Sequence, residues 1–271
     1  DGMSAVFRVV PNRLPSLEEL NLPMVLKKLT RLNNGMVLVT GPTGSGKTTT
    51  LAALVNEINR TSHRHVITIE DPIEFIHRPI NSIITQRQVG EHTVSFEEAL
   101  RSALREAPDV VVVGELRDLE TISLALTAAE TGVLVFGTLH TSTAPKAVHR
   151  IIDAIPEHSR DQMRGVLSVL LRGVVAQRLC KRASGDGRVA VLEILRQNWA
   201  ISHLIRDNKV HQIEGYLQSQ NLEMSGMQSF ERCLFNYIRD ELITREEGLK
   251  MATSPELLES LCAKLADGGA D

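Results

Sequence analysis

The sequence predicts an α/β fold: a mainly parallel sheet wrapped by helices, followed by a C-terminal helical region. Three observations carry that prediction. Apolar, β-branched runs alternate with helix-compatible segments from Gly35 to about Leu195, the pattern of a parallel sheet with crossover helices. One of the runs, Val110 to Val113, is apolar at every position, as expected for a central strand covered on both faces. Beyond Arg196 the strand patterns stop and amphipathic helical ones take over.

Taken in order, Ala5 to Val10 reads as a short extended piece, with Pro11 and Pro15 after it. Ser16 and Glu19 have capping-box spacing and predict a short helix, which Pro23 interrupts before a second over Met24 to Leu32. Met36 to Thr40 is a buried strand, and Thr48 to Asn59 is a helix with Leu51, Leu54, Val55 and Ile58 on one face. His65 to Ile69 is a strand, and residues 75–89 hold two weak strand-like runs that suggest a small antiparallel ribbon. Ser95 and Glu98 open a helix over Phe96 to Glu106. Asp118 caps another through Thr131, Val133 to Leu139 is a strand, and Ser159 with Gln162 starts a further helix. Val189 to Leu195 is the last strand. Thr244 with Glu247, and Ser254 before Pro255, mark helix starts, and Asp267 to Asp271 reads as a frayed end. These patterns divide the chain into a linker at 1–15, a core at 16–195 and a helical region at 196–271.

The stretch Gly41-Pro42-Thr43-Gly44-Ser45-Gly46-Lys47-Thr48 fits G-x-x-x-x-G-K-[ST] at every fixed position. It lies between a strand and a helix, the context the motif requires. Its glycines let backbone N–H groups turn inward toward phosphate oxygens, and the following helix adds its positive end. Lys47 reaches the β- and γ-phosphates, Thr48 has the hydroxyl that ligates Mg²⁺, and Thr49 continues the cradle. This is a site for a nucleoside triphosphate. Hydrolysis also needs acids that hold metal and position water. Glu115, directly after Val110 to Gly114, is one candidate at a strand's C-terminal end. Glu70-Asp71-Pro72-Ile73-Glu74 supplies three more carboxylates after a strand, and spacing alone leaves either Glu70 or Glu74 as the base. His140 is a third strand-end residue, suited to sensing a phosphate. Arg117, Arg105 and Arg101 are candidates for phosphate contacts or for completing a neighbouring subunit's site.

Composition narrows the class. Of 271 residues, 42% are hydrophobic, enough for a real core. Lys and Arg number 30 against 33 Asp and Glu, and aromatics are 3%. That gives neither the basic footprint nor the stacking platforms of a nucleic-acid binder. Cys180, Cys233 and Cys262 are far apart, so no zinc cluster or secreted disulfide framework is expected. No apolar run approaches membrane-spanning length and no signal peptide is visible, which makes a cytoplasmic setting the default expectation.

Together these motifs resemble the type IV pilus and type II secretion ATPase family. Thr68 to Phe75 is similar to its acidic box, Val113-Gly114-Glu115-Leu116-Arg117-Asp118 to its atypical Walker B stretch, and Thr131 to Thr141 to its histidine box. The resemblance runs from about Ala5 to near Met251. It implies a RecA-like P-loop core that binds ATP and Mg²⁺, with Thr48 and Glu115 on the metal, Glu74 as catalytic base, and Glu115, Arg117, His140 and Glu70 around it. It implies a homo-hexamer working peripherally at the inner membrane on a pilus platform protein, with a paralogous ATPase as a further partner and no nucleic acid or zinc. It also implies a PAS-like domain ahead of this chain, with Ala5-Val6-Phe7-Arg8 as its end and linker; Arg8 joins the arginine candidates. The lack of a four-cysteine insertion favours the retraction branch, hence a motor for pilin disassembly and twitching motility. A pilus assembly or secretion ATPase, or a weakly hydrolysing regulatory paralogue, is the alternative. Two positions depart from the family. Val133 stands where a second histidine is usual, and is expected near the nucleotide, where a histidine would speed turnover. The retraction branch's A-I-R-N-L-I-R-E is Ala200-Ile201-Ser202-His203-Leu204-Ile205-Arg206-Asp207 here.

Overall fold

In a computed structural model the described residues are 2, 3, 5 and 13–266. Residues 6–12 and 267–271, on which the extended N-terminal piece, Arg8 and the frayed end rest, lie outside them. The chain runs through α1 (Val25–Thr30), β1 (Gly35–Thr40), α2 (Lys47–Thr61), β2 (His65–Glu70), β3 (Ile83–Gln88), α3 (Phe96–Ala103), β4 (Val110–Val113), α4 (Leu119–Glu130) and β5 (Leu134–Leu139). It continues through α5 (Ala144–Asp153), α6 (Arg160–Leu170), β6 (Leu171–Lys181) and β7 (Arg188–Arg196). The helices α7 (Trp199–Arg206), α8 (Ile213–Gln218), α9 (Leu222–Ser225), α10 (Phe230–Arg239), α11 (Arg245–Met251) and α12 (Pro255–Ala266) complete it.

The seven strands form one sheet in the order β3-β2-β4-β5-β1-β6-β7. All neighbours are parallel except β6 and β7, which form an antiparallel hairpin. Alternation along each strand sends residues to opposite faces. From β1, Met36 and Leu38 enter a core with Leu100, Ile122, Val148 and Leu167, while Val37 and Val39 enter another with Leu29, Leu51, Leu54 and Ile58. Both faces are therefore covered, as the all-apolar β4 requires. The expected caps are present: Ser95 Oγ accepts from Glu98 N at 3.1 Å, Asp118 Oδ1 from Thr121 N at 2.8 Å, and Thr244 Oγ1 from Glu247 N at 3.2 Å.

Four details differ from the sequence reading. The Ser16–Glu19 pair makes both capping-box bonds, but it closes a turn and not an α-helix, because Asn21 takes a left-handed φ of 53°. Residues 75–89 contain a single strand, β3, parallel to β2, and no antiparallel ribbon. The helix predicted through Glu106 ends at Ala103. Two unassigned elements, α5 and β6, complete the core. After β7, α7 and α8 return Ile201, Ile205, Ile213 and Leu217 to the first core. Phe230, Leu234 and Leu258 of α10 and α12 instead pack on Cys180, Val189 and Val191 of the hairpin.

One buried charge gives this arrangement a pH signature. Glu193 on β7 is 5% exposed and accepts from Ala144 N, the first residue of α5, at 2.6 Å. Burial foremost, then the Glu231 and Glu214 carboxylates, push its carboxyl up to about 7, against the Ala144 bond and Arg178. A folded-state value above the unfolded one means the folded chain holds an extra proton between roughly pH 4.5 and 7, so stability falls as pH rises through that window. Glu193→Gln keeps an acceptor and removes the charge. It should stabilise the chain at pH 8 by on the order of 3 kcal/mol, with the gain vanishing below about pH 5. Denaturant titrations across pH test this; parallel profiles for variant and parent would refute it.

Candidate active site

The loop between β1 and α2 is shaped by its back wall. Gly41 has φ +148°, and a Cβ there would lie 2.2 Å from Gln177 O. Gly46, at φ +85° just before α2, would place a Cβ 2.9 Å from Gln177 Nε2. Glycine suits both points, since each combines a positive φ with a Cβ position that runs into Gln177 on the back wall. Pro42, Thr43 and Gly44 form the exposed outer turn, and Thr48 and Thr49 are half-buried in the first turn of α2. Lys47 Nζ donates to Gly41 O at 2.8 Å and Pro42 O at 3.1 Å. Partial burial holds its ammonium below the ordinary range, and the Glu115 carboxylate works against that shift. Ser45 Oγ is buried with no hydrogen-bond partner. A glycine cradle, an unsatisfied hydroxyl, an ammonium and a helix N-terminus together fit a nucleotide polyphosphate.

The carboxylates converge at the C-terminal ends of β2 and β4. Glu70 Oε1 accepts from Thr68 Oγ1 at 2.6 Å and Gln86 Nε2 at 3.0 Å. Burial nonetheless pushes its carboxyl above the usual range, against those bonds and one from the Glu74 backbone. Glu115 is held from both sides: its Oε2 lies 2.6 Å from Arg117 Nε and its Oε1 lies 3.2 Å from His140 Nε2. The arginine is 60% exposed, so this pair contributes about 0–1 kcal/mol and separates easily. Thr48, Glu70, Glu74, Glu115 and Arg117 line one cleft beside α2, and His140 joins it through Glu115.

Other expectations fare differently. Arg101 is engaged by Glu97 at 2.7 Å on its own helix, and Arg105 lies exposed beyond the end of α3; neither lines the cleft. Val133 is corrected outright. It precedes β5, beside Gly35 at the start of β1, whereas the phosphate loop and His140 follow the far ends of those strands. Six residues of strand separate Val133 from His140's end, about 20 Å. Its side chain is buried in the first core, so a donor there has no reach to the nucleotide, and Val133→His carries no expected gain in turnover.

Sequence reasoning missed four residues that build the site. Gln86 and Gln88, two apart on β3, face the acidic loop: Gln86 Oε1 accepts from His77 N at 2.7 Å and Gln88 Oε1 from Ile73 N at 3.0 Å. The alternating glutamines in Ile83–Gln88 were the available signal. His77 is buried in the cleft wall, where burial pulls its imidazole down to about 4 and keeps it neutral. Gln177 is 2% exposed on β6, directly after the apolar run Gly173 to Ala176.

A phosphate loop after the interior strand β1, with carboxylates at the ends of β2 and β4 on the same edge of the sheet, defines a RecA-like P-loop ATPase. Residues 2–243 match the family described as "Type II/IV secretion system protein", and the chain belongs to it. It is 52% identical over 255 residues to a twitching motility protein of Neisseria gonorrhoeae, covering 94% of this chain and 68% of that one. It is 48% identical, over 94% of this chain and 73% of the other, to the type IV pilus retraction ATPase PilT of Pseudomonas aeruginosa. Among solved structures, the pilus retraction motor PilT with bound ADP superposes with a TM-score of 0.87 at 47% identity, covering 93% and 71% of the two chains. The Legionella pneumophila ATPase DotB gives 0.81 at 29% identity, covering 90% and 67%. Among the described residues no helix is long and apolar enough to cross a membrane.

Proposed function

We propose that this chain hydrolyses Mg-ATP as a homo-hexameric motor that powers type IV pilus retraction from the cytoplasmic side of the inner membrane, through a platform protein. Its likeness to PilT, together with a complete phosphate loop facing the carboxylate cleft, is the observation that carries the reading. The 16–195 segment is the ATPase core and the 196–271 segment its helical partner. Lys47 and the loop N–H groups bind the β- and γ-phosphates. Leu20, Leu179, Arg182 and Arg188 line a depression on the other side of Gly46 and Thr49 that suits base and ribose. Thr48 and Glu115 would hold Mg²⁺, which when bound neutralises charge on the phosphate oxygens. Glu74 takes the proton from the attacking water as its oxygen bonds to the γ-phosphorus and the bond to the β–γ bridging oxygen breaks, releasing ADP. Glu70, fixed by three donors, positions the loop that carries Glu74.

Arginines from a neighbouring subunit complete the charge compensation, with Arg117 the first candidate because its pairing to Glu115 is weak. An arginine finger is worth about 10³–10⁵ in rate. Specific activity should therefore rise steeply with protein concentration as rings form, and collapse on dilution to monomer. Turnover measured alongside mass in solution tests this. Equal specific activity in a proven monomer would remove the ring requirement, and a rate no greater than buffer would remove the motor reading.

A further inference from the structure

We propose that Gln177 is a positioning residue that fixes the polarity of the Ser45–Gly46 peptide so that its N–H faces the phosphates. This rests on the phosphate-loop reading above and adds to it a determinant outside the motif.

The side chain sits behind the loop. Thr40 pairs with Ala176 in the β1–β6 register, so the next residue on β6 lies alongside the first glycine of the loop. Gln177 Nε2 donates to Ser45 O at 2.7 Å, and its Oε1 accepts from Thr50 Oγ1 at 2.7 Å. Thr50 is 1% exposed on the inner side of α2. The Ser45 carbonyl, which can only accept, settles which end of the amide is which: nitrogen toward the loop, and oxygen toward the Thr50 hydroxyl that donates to it. A trans peptide is planar, with its C=O and the following N–H pointing in opposite directions. Holding Ser45 C=O against β6 therefore aims Gly46 N–H away from β6 and into the loop, where a phosphate oxygen would accept it. Without that hold the peptide can rotate, since glycine tolerates either orientation. A flipped peptide would present a carbonyl to an anion. The same amide explains why Gly46 admits no side chain, since a Cβ would lie 2.9 Å from Nε2. The chain of control runs from Thr50 to Gln177 to the loop's own N–H.

The test is the affinity of the full chain for ADP with Mg²⁺, by calorimetric titration. Gln177→Met keeps the volume and loses the donor; it should bind roughly ten- to a hundredfold more weakly, the effect of losing one bond to a charged group. Because the loop holds the β-phosphate in ground and transition states alike, KM should rise while kcat per folded site stays near the parent's. Gln177→Glu supplies the discriminating readout. Ionised, it has no proton for Ser45 O; protonated, its O–H replaces the amide donor. Its affinity relative to the parent should therefore recover as pH falls from 8.5 toward 5.5. A purely structural brace would lower Tm and the active fraction but leave affinity per folded site and the variant's pH dependence unmoved. Should Gln177→Met fail to fold, Thr50→Val frees the amide to rotate and should weaken binding severalfold. Parent-like affinity in folded Gln177→Met or, in its place, Thr50→Val, or a pH-independent Gln177→Glu to parent ratio, would overturn the inference. Failure of the parent itself to bind ADP would instead overturn the site reading.

Discussion

Lys47→Ala should reduce ATP turnover at least about a hundredfold, to near background, and weaken ATP binding, while the fold survives. Removal of one preorganised donor from a developing charge costs roughly 10²–10³ in rate, and Lys47 also carries a full charge. Its bonds in the protein go to two carbonyls of its own loop, Gly41 O and Pro42 O. The residues that anchor α2 are Leu51, Leu54 and Ile58 on the buried side, which this substitution leaves untouched. Stability should therefore change by no more than about 1 kcal/mol. Phosphate release and thermal melting on the same preparation separate the two effects. Turnover at the parent's rate would rule out the loop as the hydrolytic site.

Glu74→Gln should stop chemistry with nucleotide still bound. The amide preserves shape but cannot accept the water's proton, and a lost general base costs about 10²–10⁴ in rate. ADP affinity should remain within a fewfold of the parent's. Glu70→Gln is the informative comparison. Glu70 Oε1 already accepts from Thr68 and Gln86, the Glu74 backbone is a third donor, and an amide has one accepting oxygen where the carboxylate has two. The expected consequence is a loosened acidic loop, with lower stability and a smaller loss of rate. The opposite pattern, a dead Glu70→Gln beside a normal Glu74→Gln, would transfer the base to Glu70.

These two predictions call on residues that the sequence displayed openly. The phosphate loop is contiguous, so its glycines, lysine and threonines are readable without any fold, and the strand before it and helix after it follow from periodicity. Glu70 and Glu115 were also legible, because a residue at or just past the end of an apolar parallel strand must emerge at the C-terminal edge of the sheet. Val133 shows the limit of that logic. Proximity in sequence to the histidine box suggested proximity to the nucleotide, but a strand is extended, and its two ends lie at opposite edges of the sheet.

The class of fold, the caps that start α3, α4 and α11, and the chemistry of the phosphate loop are each written in neighbouring residues. Tertiary structure alone decided the rest. The chain passes from α6 to β6 between Leu170 and Leu171 with no turn residue, so local pattern could not locate the strand that carries Gln177. The pairing of β3 with β2 brought Gln86 beneath Glu70, 16 residues away, and the β1–β6 register brought Gln177 behind Ser45, 132 residues away. Contacts across such separations depend on strand order and register, which the pairing of whole strands fixes and no local signal encodes.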